Sequence, residues 1–346
     1  MMDLQAEQQF DQAPGRPFGE AVLRQPAVLS EALPTIREIV RGPDFAVPRD
    51  ATVAFVGIGA SHAAGQSAAW DLLRRGRLAH RYTGAELPPD GTRVADVYIG
   101  ISQSGRSPEP LRALQRVEGV RRIAVTNEAS SPLAAAAEAS LDLGGLPDSG
   151  VSTIAYSATA AALAMLVERW TTGEPGTRWD RVGADLERLL DEHDHLLDSW
   201  ASRFSGCASI DVVGGGPWQG AAEAIALVLR EALHIPAAAF ETRTYLHGQM
   251  DSVSEDSAQI LLGGAREHVL HGQLEVKSRA TLVVGTAASA VRERTTGSIE
   301  VDSGHLAADA IIGTALLHEL SRRWGVCIGV DPDEPVFARL DTKVGH

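Results

Sequence analysis

The run Ser102-Gln103-Ser104-Gly105-Arg106-Ser107-Pro108-Glu109 gathers three hydroxyls and a primary amide within six residues. It follows an apolar stretch, residues 95–102, that reads as a buried strand, and it leads into a helix. Ser107-Pro108-Glu109 marks that helix start, with a capping hydroxyl and proline at the first helical position. Hydroxyls and an amide at the mouth of a helix, where backbone N–H groups and the helix dipole point outward, suit an anion such as a phosphate. A plain capped turn explains Gly105 and Ser107 but leaves the clustering of Ser102, Gln103 and Ser104 unaccounted for.

A second glycine-bearing turn, Gly57-Ile58-Gly59-Ala60-Ser61-His62, follows the β-rich run at residues 52–56. It fails the dinucleotide fingerprint, which needs a small third residue where His62 stands; the matching place later in the chain holds Pro217-Trp218-Gln219. A phosphate-binding P-loop is excluded because neither lysine follows a glycine-rich turn. The histidines His62, His193, His195, His234, His247, His268 and His271 form no compact ligand set; Glu192 near His195 and Asp194 fits an exposed helix face. No metal and no cofactor is expected.

The elements that must hold these turns repeat. An amphipathic helix at residues 19–41, with Val22, Leu29, Leu33, Ile36 and Ile39 at helical spacing, precedes two similar halves. The first half reads strand, turn and helix at 52–75, a strand into the serine loop, a strand at 122–126, helical material at 133–139, a strand at 140–143 and a long helix at 153–170. Residues 171–181 read as a linker and 182–200 as one charged helix. The second half repeats the opening: 210–213 end in Gly214-Gly215-Gly216, with Gly214 and Gly216 offset by 157 from Gly57 and Gly59. A helix at 221–233, strands at 259–262 and 281–284, and a helix at 306–324 complete it. Alternating strands and helices argue for an α/β protein with parallel sheets, ligands at the carboxyl ends of the strands, and a cleft between pseudo-symmetric halves.

Composition bounds the function. The chain has 346 residues, 44% hydrophobic and 22% charged, enough for one large or two medium domains. A formal charge of −14 without a Lys/Arg run argues against nucleic acid, while a small anionic metabolite needs only local donors. Cys207 and Cys327 are too few for a disulfide scaffold. The polar start and the lack of a long apolar stretch predict no secretory signal, no membrane span and a cytoplasmic protein. Only Lys277 and Lys343 are lysines; the other 29 basic residues are arginine.

The Ser102-Gln103-Ser104-Gly105 run after a hydrophobic strand resembles the signature of the sugar isomerase (SIS) domain family, in particular the isomerase half of glucosamine-6-phosphate synthase. The resemblance spans residues 51–346 and implies two SIS domains, each a parallel sheet in a three-layer α/β/α sandwich: an arm at 1–50, the first domain at 51–172, and a linker helix, second domain and tail at 173–346. No N-terminal nucleophilic cysteine stands here, so glutamine-dependent ammonia supply is not expected from this chain.

The same resemblance assigns residues. Gly59 and Ser61 lie in the turn that helps bind the sugar phosphate, Ser102, Gln103, Ser104 and Ser107 match the phosphate-binding set, and Ser152 resembles a serine that contacts the sugar hydroxyls. Glu231 falls where the family's catalytic glutamate lies; a carboxylate in a sugar cleft can move a proton between adjacent carbons. Read without the resemblance, Glu231 could be a solvated helix glutamate beside Arg230. Tyr245-Leu246-His247-Gly248-Gln249 is similar to the family's Lys-His-Gly-Pro segment, making His247 the ring-opening group delivered from a neighbouring subunit of a homodimer. Asp331-Pro332-Asp333-Glu334-Pro335 resembles the family's tail turn, but the lysine that forms an imine in the synthase arrives three residues late as Lys343. Leu246, Gln249, Ala224 and Val228 replace polar or conformationally special family residues, and His234, Glu241 and Arg243 are candidates to read a different head group.

The expected reaction is aldose–ketose isomerisation of a sugar phosphate or similar anionic sugar, with or without loss of an amine. The alternatives are a fructosamine-phosphate deglycase using the same proton shuttle, and a non-catalytic sugar-phosphate sensor.

Overall fold

The apolar runs that end in glycine are short and unbroken, as strands buried on both faces must be. In a computed structural model, which describes residues 15–286, 297–337 and 342–344, they form two five-stranded sheets, every strand pair parallel. The polar start at residues 1–12 and residues 338–341 of the tail lie outside the described residues. The first sheet contains β1 (Val53–Val56), β2 (Ala79–Tyr82), β3 (Val97–Ile101), β4 (Arg121–Thr126) and β5 (Ala139–Asp142), ordered β2-β1-β3-β4-β5. The second contains β6 (Ser209–Gly214), β7 (Ala237–Phe240), β8 (Ser257–Gly263), β9 (Ala280–Gly285) and β10 (Ile299–Glu300), ordered β10-β9-β8-β6-β7. Read from the β2 and β7 edges, the two orders are the same.

The helices are α1 (Phe18–Val40), α2 (Ala60–Arg74), α3 (Pro108–Arg116), α4 (Pro132–Ala135), α5 (Ile154–Thr172), α6 (Val182–Glu192), α7 (Asp194–Phe204), α8 (Trp218–Ala232), α9 (Thr242–Leu246), α10 (Ala265–Leu274) and α11 (Leu306–Ile328). One continuous apolar core, from Phe18 to Trp324, joins the inner faces of both sheets through α1, α2, α5, α8 and α11. Smaller clusters cover the outer faces: Leu111 and Leu114 of α3 on the first sheet, Leu270 and Leu274 of α10 with Tyr245 of α9 on the second. Each sheet is therefore a middle layer between helices. Among the described residues no helix is long and apolar enough to cross a membrane.

Three features depart from the sequence reading. The edge strands β2, β7 and β10 were not expected, because Ala-His-Arg-Tyr, Ala-Ala-Ala-Phe and a two-residue bridge carry little of the β-branched pattern that marks a central strand. Residues 182–200 are not one helix: the path breaks at His193, between α6 and α7. Ser107 does not cap α3, since its hydroxyl is engaged by Ser102 instead.

The glycine repeat has one physical cause in both halves. A Cβ at Gly57 would lie 2.8 Å from the carbonyl carbon of Ser61, and one at Gly214 would lie 2.6 Å from the carbonyl oxygen of Trp218, four residues on in each case. Gly59 and Gly216 both adopt positive φ, +56° and +60°. Strand and helix can meet this tightly only without a side chain at the first position and with left-handed backbone at the second.

The halves are fastened where α2 and α8 run antiparallel. A Cβ at Gly220 would stand 2.4 Å from the carbonyl oxygen of Ala63, so the backbones touch. The Gln66 amide donates to the carbonyl of Gly216 and to Gln219, at 3.2 and 3.1 Å. Arg81 of β2 reaches across to Glu223 of α8 through two bonds of 2.6 and 3.0 Å, and both side chains are largely buried.

His318 of α11 is fully buried where α1, α5 and α11 meet; its Nδ1 lies 3.2 Å from Oε1 of Gln25 and its ring stands edge-on to Tyr156. Burial pushes its pKa down to about 3 from an ordinary 6.5. Between those values the unfolded chain binds a proton that the native chain excludes, so stability rises with pH across this window and is retained above it. The urea midpoint is expected to fall as pH is lowered from 7.5 to 5, and His318→Gln to show a shallower fall. An equal slope in wild type and variant would move the effect to another group.

Candidate active site

In a parallel sheet with this strand order, the loops after β1 and β3 leave in opposite directions and open a crevice between them. Both turns singled out in the sequence lie there: Gly57–Ser61 after β1 and Ser102–Ser107 after β3. The geometry of the serine loop is closely determined. Ser102 is 1% exposed, and its Oγ lies 3.0 Å from Oγ of Ser107 and accepts from the Ser107 N–H at 3.4 Å. Gly105 has φ +60°, and a Cβ there would fall 2.0 Å from Oγ of Ser131, so the loop turns flush against α4. The carbonyl of Gln103 accepts from the N–H of Asn127, which leaves the exposed Gln103 amide outside the loop's own bonding among the described residues.

The start of α3 donates less than its sequence pattern first implies. Pro108 and Pro110 have no N–H, and Glu109 brings a carboxylate into the first turn. The polar groups at this loop are therefore its hydroxyls, the Gln103 amide and a group from far along the chain. Lys343 places Nζ 2.8 Å from Oγ of Ser104, while the N–H of Val344 donates to the carbonyl of Arg106 at 2.9 Å and its side chain packs on the outer cluster.

The tail is pinned at two points. Asp333 accepts the first N–H of α1, from Phe18, at 2.9 and 3.1 Å, and Val344 closes on the serine loop.

Glu231 lies half-buried in the last turn of α8. Leu227, one turn earlier on the same helix face, would meet a Cβ at Gly59 at 3.6 Å, so that face of α8 looks onto the turn containing Gly59 and Ser61. Arg230 points away, donating to the carbonyl of Ala237 at 3.1 Å. Ala224 and Val228 are buried in the core. His234 takes left-handed backbone, φ +57°, where the chain leaves α8, and is exposed.

His247 sits elsewhere. It ends α9, on the outer face of the second sheet, whereas α8 covers the inner face. It is exposed, and its ring makes no hydrogen bond among the described residues. Gly248 follows at φ +117°. Glu241 is committed to capping α9 through the N–H of Thr244, Arg243 is exposed beside it, Leu246 is partly buried in the outer cluster and Gln249 is exposed.

Ser152 is half-buried just before α5. Its loop is organised by two residues that the sequence reading did not single out. Asp148 accepts the N–H groups of Ser149, Thr153, Ile154 and Ala155 and the hydroxyl of Thr153. Burial pushes its carboxyl up and these donors oppose the shift. Asn127 bonds Leu146 through both amide atoms and meets Gln103 through its own N–H, tying this loop to the serine loop. An Asp five residues ahead of a Thr at a helix start was the available signal for the first.

The equivalent crevice in the second sheet is already filled. Glu267 is 6% exposed and accepts from the Gly264 N–H at 2.8 Å and from the Thr242 hydroxyl at 2.7 Å. Beside the first crevice, burial and the Arg81 charge hold His62 below its usual pKa, and its Nδ1 has no hydrogen-bond partner. Asp194, His195 and Asp198 bring ligand-type atoms within 4.8 Å of one another on the surface, but Arg323 already bonds both carboxylates.

Residues 49–169 match the SIS domain family. The chain is 27% identical to glutamine–fructose-6-phosphate aminotransferase (isomerizing) from Aeropyrum pernix over 91% of its own length and 55% of that protein. It thus spans about half the length of the curated relatives it matches. Among solved structures, glucosamine-6-phosphate deaminase from Thermotoga maritima superposes with a TM-score of 0.73 at 18% identity, covering 93% of this chain and 99% of the other. Tagatose-6-phosphate ketose/aldose isomerase from Escherichia coli does so with 0.74 at 16%, covering 93% and 95%. The chain contains a SIS domain and is homologous to the isomerase domain of the aminotransferase.

If the serine loop and Lys343 form one anion site, Ser104→Ala and Lys343→Met should each weaken inorganic phosphate binding about tenfold, the worth of one charge-assisted hydrogen bond near 1.4 kcal/mol. Titration calorimetry at two salt concentrations checks this. Unchanged affinity in both variants would remove the loop from the site.

Proposed function

We propose that the protein is an aldose–ketose isomerase acting on a sugar phosphate or a similar anionic sugar. The observation that supports this reading is the Lys343 ammonium on Ser104 of the Ser102–Ser107 loop, with Leu227, one helical turn before Glu231, beside the Gly59 turn that flanks the same crevice. The relatives' names support the same class: an isomerizing aminotransferase, a sugar-phosphate deaminase and a ketose/aldose isomerase.

In this mechanism Ser104, Gln103 and the hydroxyls of Ser102 and Ser107 hold the anionic end of the open-chain sugar, and Lys343 balances its charge. Gly59 lets the turn approach the sugar closely, and Ser61 and Ser152 contact it from either side. The Glu231 carboxylate takes the proton from the carbon next to the carbonyl, leaving an enediol, and returns it to the neighbouring carbon. With Nζ held at Ser104, Lys343 serves as a cation and the shuttle proceeds without an imine. His247, on the opposite face of its sheet from Glu231, opens the ring in the site of a second copy of the chain, which makes the working unit a homodimer.

Incubation in heavy water with fructose-6-phosphate, glucosamine-6-phosphate and sulfonated or non-phosphorylated analogues, followed by NMR, is expected to show deuterium at the first or second carbon of one of them. Glu231→Gln should slow that exchange by about 10²–10⁴-fold while binding persists. Binding without any exchange would favour a sensor. A subunit test follows separately: mixing inactive Glu231→Gln and His247→Ala proteins should restore part of the activity, and no recovery after verified subunit exchange would place both groups in one chain.

A further inference from the structure

On the outer side of the first sheet, behind the serine loop, α3, Tyr98 of β3 and residues 84–92 line an open cavity of about 210 Å³. Its walls are tightly built. A Cβ at Gly84 would lie 2.5 Å from Cβ of Glu109, and one at Gly91 would lie 2.4 Å from the carbonyl oxygen of Arg116, so the loop is in close contact with both ends of α3. Leu87, Pro88, Ala113 and Val117 give the cavity an apolar lining.

Arg112 and Arg116 also line it, one helical turn apart on the same face. Neither guanidinium has a hydrogen bond or ion pair among the described residues, whereas Arg74, Arg75, Arg93 and Arg122 are each paired with a carboxylate. Glu109 is the one carboxylate in the lining, which leaves the cavity with a net positive charge. Two like charges at this spacing repel, and an anion between them relieves the repulsion through the fork geometry that guanidinium offers to phosphoryl and carboxylate groups.

We propose that this cavity is a second ligand site, for a compact anion with an apolar body: a ring or short hydrocarbon that fills the lining, and a phosphoryl or carboxylate head between Arg112 and Arg116. The site is separate from the crevice, but both use α3. The helix that would hold the ligand's charge at its far end begins at Ser107, inside the serine loop.

Phenyl phosphate is the probe, with benzyl alcohol as its neutral counterpart, titrated calorimetrically into the full chain and into Arg112→Gln/Arg116→Gln and Ser104→Ala proteins. Both arginines are exposed, so the double variant should melt as the wild type does. The expected result is two phenyl phosphate sites in wild type, one weakened at least tenfold in the arginine variant and the other weakened only in Ser104→Ala. Identical titrations of wild type and the arginine variant, or equal affinity for benzyl alcohol, would overturn the proposal. Heavy-water exchange with fructose-6-phosphate in the arginine variant reports the crevice alone, so failure there and failure here remain distinguishable.

Discussion

Contact between the backbones of α2 and α8 is the constraint on which the arrangement depends. Each helix leaves a glycine turn at the end of a parallel strand, and each must cover the inner face of its own sheet. Because Gly220 has no side chain, the two can approach until a Cβ would collide with the Ala63 carbonyl, and the antiparallel sense then carries the end of α8 past the start of α2. This brings Leu227 of the second half beside the Gly59 turn of the first. The Arg81–Glu223 pair sits in the same seam, where removal of either partner would strand a largely buried charge.

The two halves share a strand order and therefore two equivalent crevices, yet they are chemically opposite. One is edged by serines and receives a lysine from the tail; the other is closed by the Glu267 carboxylate, which already takes the donors of its own loop and of Thr242. In the second half the carboxylate thus satisfies donors of its own loop and of Thr242 internally. Beyond α11, Asp333 accepts from the start of α1 and Val344 donates to the serine loop.

The parts of the fold legible in the sequence were those where one local rule suffices. Strands buried on both faces show as apolar runs, the glycine pairs at an offset of 157 mark identical close turns, and Pro108 announces the start of α3. Edge strands such as Ala237–Phe240 were illegible because pairing to β6, not their own composition, makes them strands. The sharing of Ser107 with Ser102 was equally hidden, since it is settled by a neighbour.

For the site, the sequence by itself determined the residue types: clustered hydroxyls after a buried strand, a glutamate on the repeated helix, a histidine before a glycine and a rare lysine near the end. Only the tertiary structure decided which of them share a crevice. Lys343 lies 239 residues from Ser104 yet donates to it, and the neighbouring Val344 is held by the Arg106 carbonyl. His247 and Glu231 lie 16 residues apart and on opposite faces of one sheet, because the intervening β7 carries the chain from the inner helix layer to the outer one. Spacing along a chain reports local geometry, and crossing a sheet removes its hold on distance.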